Sequence, residues 1–447
     1  MVTDVPKTWI NYVQMLGDVL ILNASVALAL TIRQDWIYFM ANNELHIAAL
    51  ILFSVITLYF FNFYGLYNTA NKDWTDILSA VFASLIFLSL TVAVISYIIP
   101  SYIFPRRVLF TFVCLYGPTV ALWRWVLLLI ERRITPAKKV IIVANEEDIA
   151  PLVNKLNGNY IFLGVISEQR KHEAAYPNLG TFDEAAEVFK SYLPDVVLIS
   201  GNVREEVKSN IVLLGLTFRC VFYVVPNLYE IMIGRSALDQ FQDTPVLQVQ
   251  FNRNRGAELL KRIIDCIVAI FILIITLPIT LLATLAIKLT SPGPIFYTQE
   301  RVGRRNKRFM LYKFRTMIKN AEATTGPVLS NRHDSRVTKV GRILRATRID
   351  ELPQLINVLK GDMSIVGPRP ERPVFVERYK KEIPGYTYRH VINAGITGLA
   401  QVSGKYSTSP QDKLRYDLLY AKGASPLFDL RIMLQTIKVM LLKDKAS

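Results

Sequence analysis

The stretch CIVAIFILIITLPITLLATLAI, residues 266–287, carries no charged residue and has Pro278 near its middle. Its length is sufficient to cross the hydrocarbon core of a bilayer. Proline removes one backbone donor and clashes with the preceding turn, so the helix predicted here bends around Thr276-Leu277-Pro278. Whether that helix crosses or turns back decides where the remainder of the chain lies, and the remainder is strongly basic. From Phe251 to Ser447 there are 34 Lys and Arg against 15 Asp and Glu, whereas the first 250 residues carry 18 against 21. A basic region of this size suits a phosphate-rich substrate, an anionic membrane face or nucleic acid.

Upstream, four apolar stretches cover roughly Met15–Ile32, Ile47–Phe63, Ile77–Ile99 and Val108–Ile130. Together with 52% apolar residues and a mean hydropathy of +0.30, they predict a bundle of four transmembrane helices within residues 1–135. Asp18 and Arg124 interrupt two of them near a segment end, where snorkelling or mutual pairing is tolerable. Lys7, Lys72, Arg132, Arg133, Lys138 and Lys139 flank one side, and Arg33, Arg106 and Arg107 the other. The excess places both ends of the bundle in the cytoplasm. A fifth crossing would then carry the basic region outside. A re-entrant helix over about residues 261–289 avoids this, with Lys261 and Arg262 at one end and Lys288 at the other, all at one interface.

Between the bundle and this helix, residues 136–250 alternate short β-rich runs with polar helical stretches. Val140–Ala144, Ile161–Ile166, Val196–Ser200 and Cys220–Val225 predict parallel strands of a small Rossmann-like domain. The first strand is followed by Ala144-Asn145-Glu146-Glu147 instead of a Gly-x-Gly-x-x-Gly turn. Without those glycines the backbone cannot approach a pyrophosphate, and the two carboxylates repel it. A structural, regulatory or oligomerising role is favoured over nucleotide binding. Cys114, Cys220 and Cys266 are far apart, and neither they nor the four histidines have metal-site spacing.

In the basic region, residues 251–447, phosphate-handling chemistry is concentrated. Lys313-Phe-Arg315 presents two cations that share a face if the segment is a strand. Arg342, Arg345 and Arg348 recur every third residue and end beside Asp350-Glu351. Pro353 then opens a short helix from its first turn. A carboxylate near a helix N-terminus and ringed by arginines is expected to favour its charged form. The stretch 361–371, GDMSIVGPRPE, brackets Arg369 with two prolines, which restrict its backbone and suit a preset guanidinium to phosphate. Read without further context, Asp350 as a helix cap among solvated arginines remains an alternative. The C-terminal stretch from Pro426 reads either as an amphipathic helix on the membrane or as a core-packed terminal helix.

Asp350-Glu351-Leu-Pro-Gln354, Gly361-Asp362-Met-Ser364, Gly367-Pro-Arg-Pro370 and Gly395-Ile-Thr-Gly-Leu-Ala-Gln-Val402 together resemble the bacterial sugar transferase family, the monotopic phosphoglycosyl transferases. The four-helix bundle plus degenerate α/β domain is similar to its long-form members, which initiate exopolysaccharide, capsule or O-antigen synthesis. The resemblance implies a small α/β catalytic domain and a two-step reaction at the bacterial inner membrane, facing the cytoplasm. Asp350 attacks the sugar-bearing phosphate of a UDP-sugar and releases UMP; undecaprenyl phosphate then takes the phosphosugar. Glu351 matches the position associated with Mg²⁺, Arg369 is assigned to phosphate, and Lys313, Arg315 and Arg345 are further phosphate-binding candidates. Pro278 matches the break of the re-entrant helix, with Leu277 in place of the usual serine and Thr276 as its substitute. Asn393-Ala394 stands where a proline-glycine turn is usual. Long-form relatives imply a homodimer. A nucleotide-sugar dehydratase is excluded, since no tyrosine has Lys four residues on. Nucleic-acid binding lacks a reader module.

Overall fold

The computed structural model describes residues 5–35, 40, 43–67, 72–98, 106–134, 136–156, 159–169, 175–218, 220–234, 236–241, 244–248, 255–318, 334, 336–405 and 407–440. The chain divides into two compact units, Met1–Val225 and Pro226–Ser447.

The first unit opens with four long helices: α1 (Val5–Arg33), α2 (Asn43–Phe63), α3 (Trp74–Ile98) and α4 (Arg106–Ile134). Their polarity is inverted relative to a soluble bundle. Leu20, Ile51, Phe82, Phe110 and Leu122 each keep more than half of their surface exposed, while the interior holds Ala29, Ala49, Ala80 and Ala83. Small interior residues let helices approach closely when lipid, not water, surrounds them. Gly17 lies so close to the Trp123 ring that a Cβ there would sit 2.4 Å from it. Asp18 and Arg124 do pair, and both are fully enclosed. Tyr67 Oη donates to Asp18 Oδ2 (2.9 Å), Arg124 Nη1 donates to the Leu66 carbonyl (2.9 Å), and the guanidinium lies over the Phe61 and Tyr67 rings. Inside a bundle an ionised pair persists only when each charge is matched this way.

A five-stranded parallel sheet follows in the same unit: β1 (Lys138–Val143), β2 (Tyr160–Ser167), β3 (Asn178–Thr181), β4 (Val196–Ile199) and β5 (Val221–Val224), in the order β3-β2-β1-β4-β5. The four strands read from sequence are present. The additional β3, Asn-Leu-Gly-Thr, is too short and polar to stand out from a loop. Helices α5 (Glu146–Val153), α6 (Ala185–Tyr192) and α7 (Glu205–Leu213) connect the strands. Ligands of such sheets sit where the strand order reverses, here between β1 and β4. That crevice is bridged by the protein itself. Asp148 accepts from Ser200 Oγ at 2.5 Å and from Asn202 Nδ2 at 3.0 Å, and Asn145 Nδ2 donates to the Asn202 carbonyl.

The second unit begins with α8 (Leu228–Ile233), whose Ile231 packs with Val302, Val376, Tyr386 and Leu418. A hairpin, β6 (Ala237–Phe241) and β7 (Thr244–Gln248), leads to the 36-residue α9 (Arg255–Thr290). This is the fifth helix long and apolar enough to span a membrane among the described residues. It is one unbroken element through Pro278, with Thr276 Oγ1 donating to the Ile272 carbonyl (2.7 Å) and Thr280 Oγ1 to the Leu277 carbonyl (2.8 Å).

The remainder of the unit is small and mixed. It comprises the antiparallel hairpin β8 (Phe296–Val302) and β9 (Arg308–Phe314), helices α10 (Lys339–Ala346) and α11 (Gln354–Lys360), β10 (Met363–Val366), α12 (Pro373–Glu382), β11 (Ala394–Thr397), α13 (Leu399–Ser403), α14 (Pro410–Gly423) and α15 (Pro426–Met440). Strands β10 and β11 pair in parallel. Both halves of α9 dock on this body. Ala269 enters the core with Leu355, Val358 and Ile365, while Ala283 and Ile287 pack on Phe314 and Leu344. Between them Ile274, Ile275, Leu277, Leu281 and Leu282 stay exposed. Lys261 and Arg262, at the start of α9, are bonded to protein. Lys261 Nζ pairs with Asp429 (2.6 Å) and donates to the Val366 carbonyl, while Arg262 donates to the carbonyls of Val358 and Leu359 at the end of α11. Helix α15 is core-packed, with Ile432 and Val439 buried beside β10 and β11.

Candidate active site

Three elements bring the site together. Strand β9 delivers Lys313, a tight turn after α10 delivers Asp350 and Glu351, and the proline-bracketed loop after β10 delivers Arg369. Asn357 at the centre of α11, the helix that follows the turn, fixes β9 against it, since its Oδ1 accepts from the Tyr312 amide (3.0 Å) and its Nδ2 donates to the Met310 carbonyl (2.8 Å). Helix α10 stops at Ala346, and Arg348 takes a left-handed backbone with φ of +56°. That conformation costs a non-glycine residue about 1–2 kcal/mol. It reverses the chain so that Ile349–Glu351 form a single 3₁₀ turn. The arginine stripe therefore breaks before Arg348, and Asp350 lies ahead of helix α11 without capping it.

Lys313 Nζ and Arg369 Nη2 both donate to Glu351 Oε1, at 2.7 and 2.8 Å. Lys313 Nζ lies 4.0 Å from Asp350 Oδ2. Among the described residues no hydrogen bond reaches the Asp350 side chain. The Arg369 side chain remains 35% exposed, so an approaching anion can reach it. Arg345 Nε donates to Thr316 Oγ1 (2.9 Å), and its charge also bears on Asp350. Arg315 behaves differently. β9 ends at Phe314, and the Arg315 guanidinium bonds Ser291 Oγ and the carbonyls of Ser291 and Pro292, tying down the exit of α9. The expectation that Lys313 and Arg315 share a strand face fails for this reason.

The two neighbouring carboxylates are shifted in opposite directions. Burial pushes the Asp350 carboxyl up from its ordinary range; Lys313 opposes this, and the Glu351 charge adds to it. Burial also acts against ionised Glu351, but Arg369 and Lys313 outweigh it and hold its carboxyl well below the usual carboxylate range. Sequence reasoning expected the charged form of Asp350 to be favoured. The cations stabilise Glu351 instead, because their donors converge on its Oε1.

The site offers two adjacent carboxylates, and no group of three or more His, Cys, Asp or Glu suited to a metal occurs among the described residues. That donor set suits Mg²⁺ that is held by one or two carboxylates and completed by substrate phosphate oxygens, not an all-protein cage.

The glycines of the two neighbouring motifs have a backbone role. A Cβ at Gly367 would lie 2.2 Å from the Asn393 carbonyl oxygen, one at Gly395 would lie 2.1 Å from the Gly367 nitrogen, and one at Gly398 would lie 2.1 Å from the Gly367 carbonyl oxygen. Bare backbones thus cross where the Arg369 loop leaves the β10–β11 pair. Asn393-Ala394 enters β11 directly, with Ala394 opposite Met363. Two arginines behind this loop, Arg301 and Arg389, were not singled out from the sequence. Neither sits in a charge cluster near the motif.

Residues 256–443 match the family described as bacterial sugar transferase. The chain is 39% identical over 222 residues to a UDP-N-acetylgalactosamine-undecaprenyl-phosphate N-acetylgalactosaminephosphotransferase of Aeromonas hydrophila, covering 49% of this chain and 52% of that protein. It is 38% identical over 250 residues to a UDP-glucose:undecaprenyl-phosphate glucose-1-phosphate transferase of Klebsiella pneumoniae, covering 54% of each. These matches span about half the length of those relatives. A protein with the latter description from Caulobacter vibrioides is 43% identical over 198 residues, with 43% of this chain and 73% of that protein covered. A matched family profile and relatives of this identity and coverage establish that the chain belongs to the bacterial sugar transferase family.

Proposed function

We propose that this protein transfers a sugar 1-phosphate from a UDP-sugar to undecaprenyl phosphate through a covalent intermediate on Asp350, initiating synthesis of a surface polysaccharide. The observation that carries this reading is the division of labour at residues 350 and 351. Glu351 gathers Lys313 and Arg369, while among the described residues no hydrogen bond occupies the Asp350 carboxyl, which leaves it open as a nucleophile.

In the first step an Asp350 carboxylate oxygen bonds to the sugar-bearing phosphorus. The bond to the bridging oxygen breaks, and UMP departs with that electron pair. In the second, a phosphate oxygen of the polyprenyl carrier bonds to the same phosphorus and the Asp350 carboxylate is released. Arg369 and Lys313 bind and orient the phosphoryl oxygens and match the charge that develops on them. Glu351, with Asp350 beside it, would hold Mg²⁺ together with the diphosphate, where the ion supplies charge neutralisation and Lewis acidity. Arg345 contributes positive potential, and Arg315 acts through the placement of α9.

The lipid substrate requires the site to lie at a membrane surface. Helix α9 meets the same small body on both sides of Pro278, and Ala283 is about 7.5 Å of helix rise beyond that proline. We therefore read α9 as entering and leaving the inner membrane on its cytoplasmic face, with α1–α4 crossing it. A cysteine placed at Glu377, on exposed α12, is expected to react with an impermeant thiol reagent only after the inner membrane is opened. Labelling in intact spheroplasts would refute this topology.

The functional reading is tested by incubating purified protein with a panel of UDP-sugars and labelled UMP, without lipid acceptor. Exchange of label from UMP into one UDP-sugar, or a narrow set, is expected, because a covalent first step is reversible without the acceptor. Transfer that needs acceptor and shows no exchange would rule out the two-step route.

A further inference from the structure

The loop that carries Arg369 has an unusual backbone problem. Pro368 and Pro370 lack amide hydrogens, so the segment 368–371 can be held through its carbonyls far better than through its amides. All four carbonyls are in fact engaged, each by a different donor. The Pro368 carbonyl accepts from the Gly395 amide at 2.8 Å, and that of Glu371 from the Val302 amide at 3.0 Å. Between them, the Arg369 carbonyl accepts from Arg389 Nη2 at 3.0 Å and the Pro370 carbonyl from Arg301 Nη1 at 3.0 Å.

The two guanidiniums in the middle are themselves fixed. Arg389 is almost fully buried; its Nη2 pairs with Asp417 Oδ2 at 2.8 Å, and its Nη1 bonds Tyr386 Oη. Arg301 Nη2 donates to Gln299 Oε1 at 2.7 Å. Burying an arginine is costly, and a buried arginine that is anchored by a side chain and directs a further donor at one main-chain carbonyl is a means of orienting that carbonyl.

Resting on the proposed phosphate-binding role of Arg369, we propose that Arg389 and Arg301 are positioning residues that clasp the main chain on either side of the Arg369–Pro370 bond and so aim the Arg369 guanidinium at the donor's diphosphate. They touch neither Asp350 nor Glu351. Their effect is transmitted through the Arg369 backbone, whose side chain reaches Glu351 at 2.8 Å. Lysine at either position would keep the charge but offers no planar fork able to serve two acceptors at once.

The test is a double-mutant cycle on the full-length protein. Arg389→Lys and Arg301→Lys are each made in the wild-type and the Arg369→Lys backgrounds. Two quantities are read: the Kd for inorganic pyrophosphate with Mg²⁺, and kcat/KM for UMP release from whichever UDP-sugar the wild type uses. In the wild-type background each substitution is expected to weaken pyrophosphate binding and lower kcat/KM on the order of 10-fold or more; with Lys at 369 the same substitutions should cost less than about 3-fold, because coupled sites are non-additive. Equal losses in both backgrounds, or no loss in either, would overturn the proposal. Should Arg389→Lys fail to fold, the Arg301 arm and a Tyr386→Phe cycle decide it by the same criterion. Absence of UMP release from the wild type with every UDP-sugar would fail the functional reading separately, with the clasp still judged on pyrophosphate affinity.

Discussion

Replacing Asp350 by asparagine is expected to lower UMP release by a factor on the order of 10³ or more, while leaving the protein folded and no less stable. The substitution is isosteric and removes no hydrogen bond, since the described residues provide none to this side chain. Its effect on stability follows from the direction of the carboxyl shift. Burial, opposed by Lys313 and reinforced by the Glu351 charge, raises the folded-state pKa above its unfolded value of 3.8. The ionised carboxyl is therefore disfavoured by folding, and that cost is fully present above the raised pKa. An uncharged amide relieves it, so the unfolding temperature in detergent should be unchanged or higher. Loss of activity accompanied by a fall in that temperature would point to a structural role. The same shift sets the acid limb of kcat/KM for UMP release above the ordinary aspartate range, because the attacking group must be ionised.

Glu351→Gln is expected to damage both activity and stability, the reverse of the pattern at Asp350. Two cations converge on Glu351 Oε1, and the side chains of Lys313 and Glu351 are largely enclosed. Removing the anion leaves both cations facing each other without compensation. Breaking an enclosed pair in this way costs about 3–5 kcal/mol; partial exposure of Arg369 places the expected loss at the lower end, roughly 3 kcal/mol. UMP release should fall on the order of 100-fold, since Arg369 and Lys313 lose the group that registers them and the proposed Mg²⁺ site would lose a carboxylate. Thermal unfolding in detergent beside a UMP-release assay measures both. A variant of wild-type stability would show that the ion triad does not hold the site together.

Much of this site is legible in the sequence because its chemistry is carried by residues in short runs. Asp350 and Glu351 are adjacent, Arg369 is marked by its two prolines, and Lys313 lies in a compact basic segment. What the sequence conceals is burial and the identity of partners. Which of two neighbouring carboxylates is paired with the cations depends on where Lys313 and Arg369 point, and only the fold settles that. Arg315 looks equivalent to Lys313 until β9 ends one residue too early and its fork turns to Ser291 and Pro292. Arg301 and Arg389 act on carbonyls remote in sequence, Arg301 on one 69 positions away, so no local pattern announces them.

The larger architecture was legible for a different reason. Spanning-length apolar runs and β-branched runs persist whatever packs against them, so α1–α4 and four of the five parallel strands emerge directly. The pairing of Asp18 with Arg124 follows from the cost of an isolated charge among apolar helices. Strand β3 and the association of α8 with the second unit depend on tertiary neighbours alone.

The most direct measurement is the intact mass of the protein quenched during turnover of its UDP-sugar without lipid acceptor, followed by peptide mapping. An added mass equal to one sugar phosphate, located on the peptide containing Asp350 and absent from Asp350→Asn, is the expected result. An enzyme that turns over its UDP-sugar with no added mass, or with the adduct on another residue, would contradict the central claim.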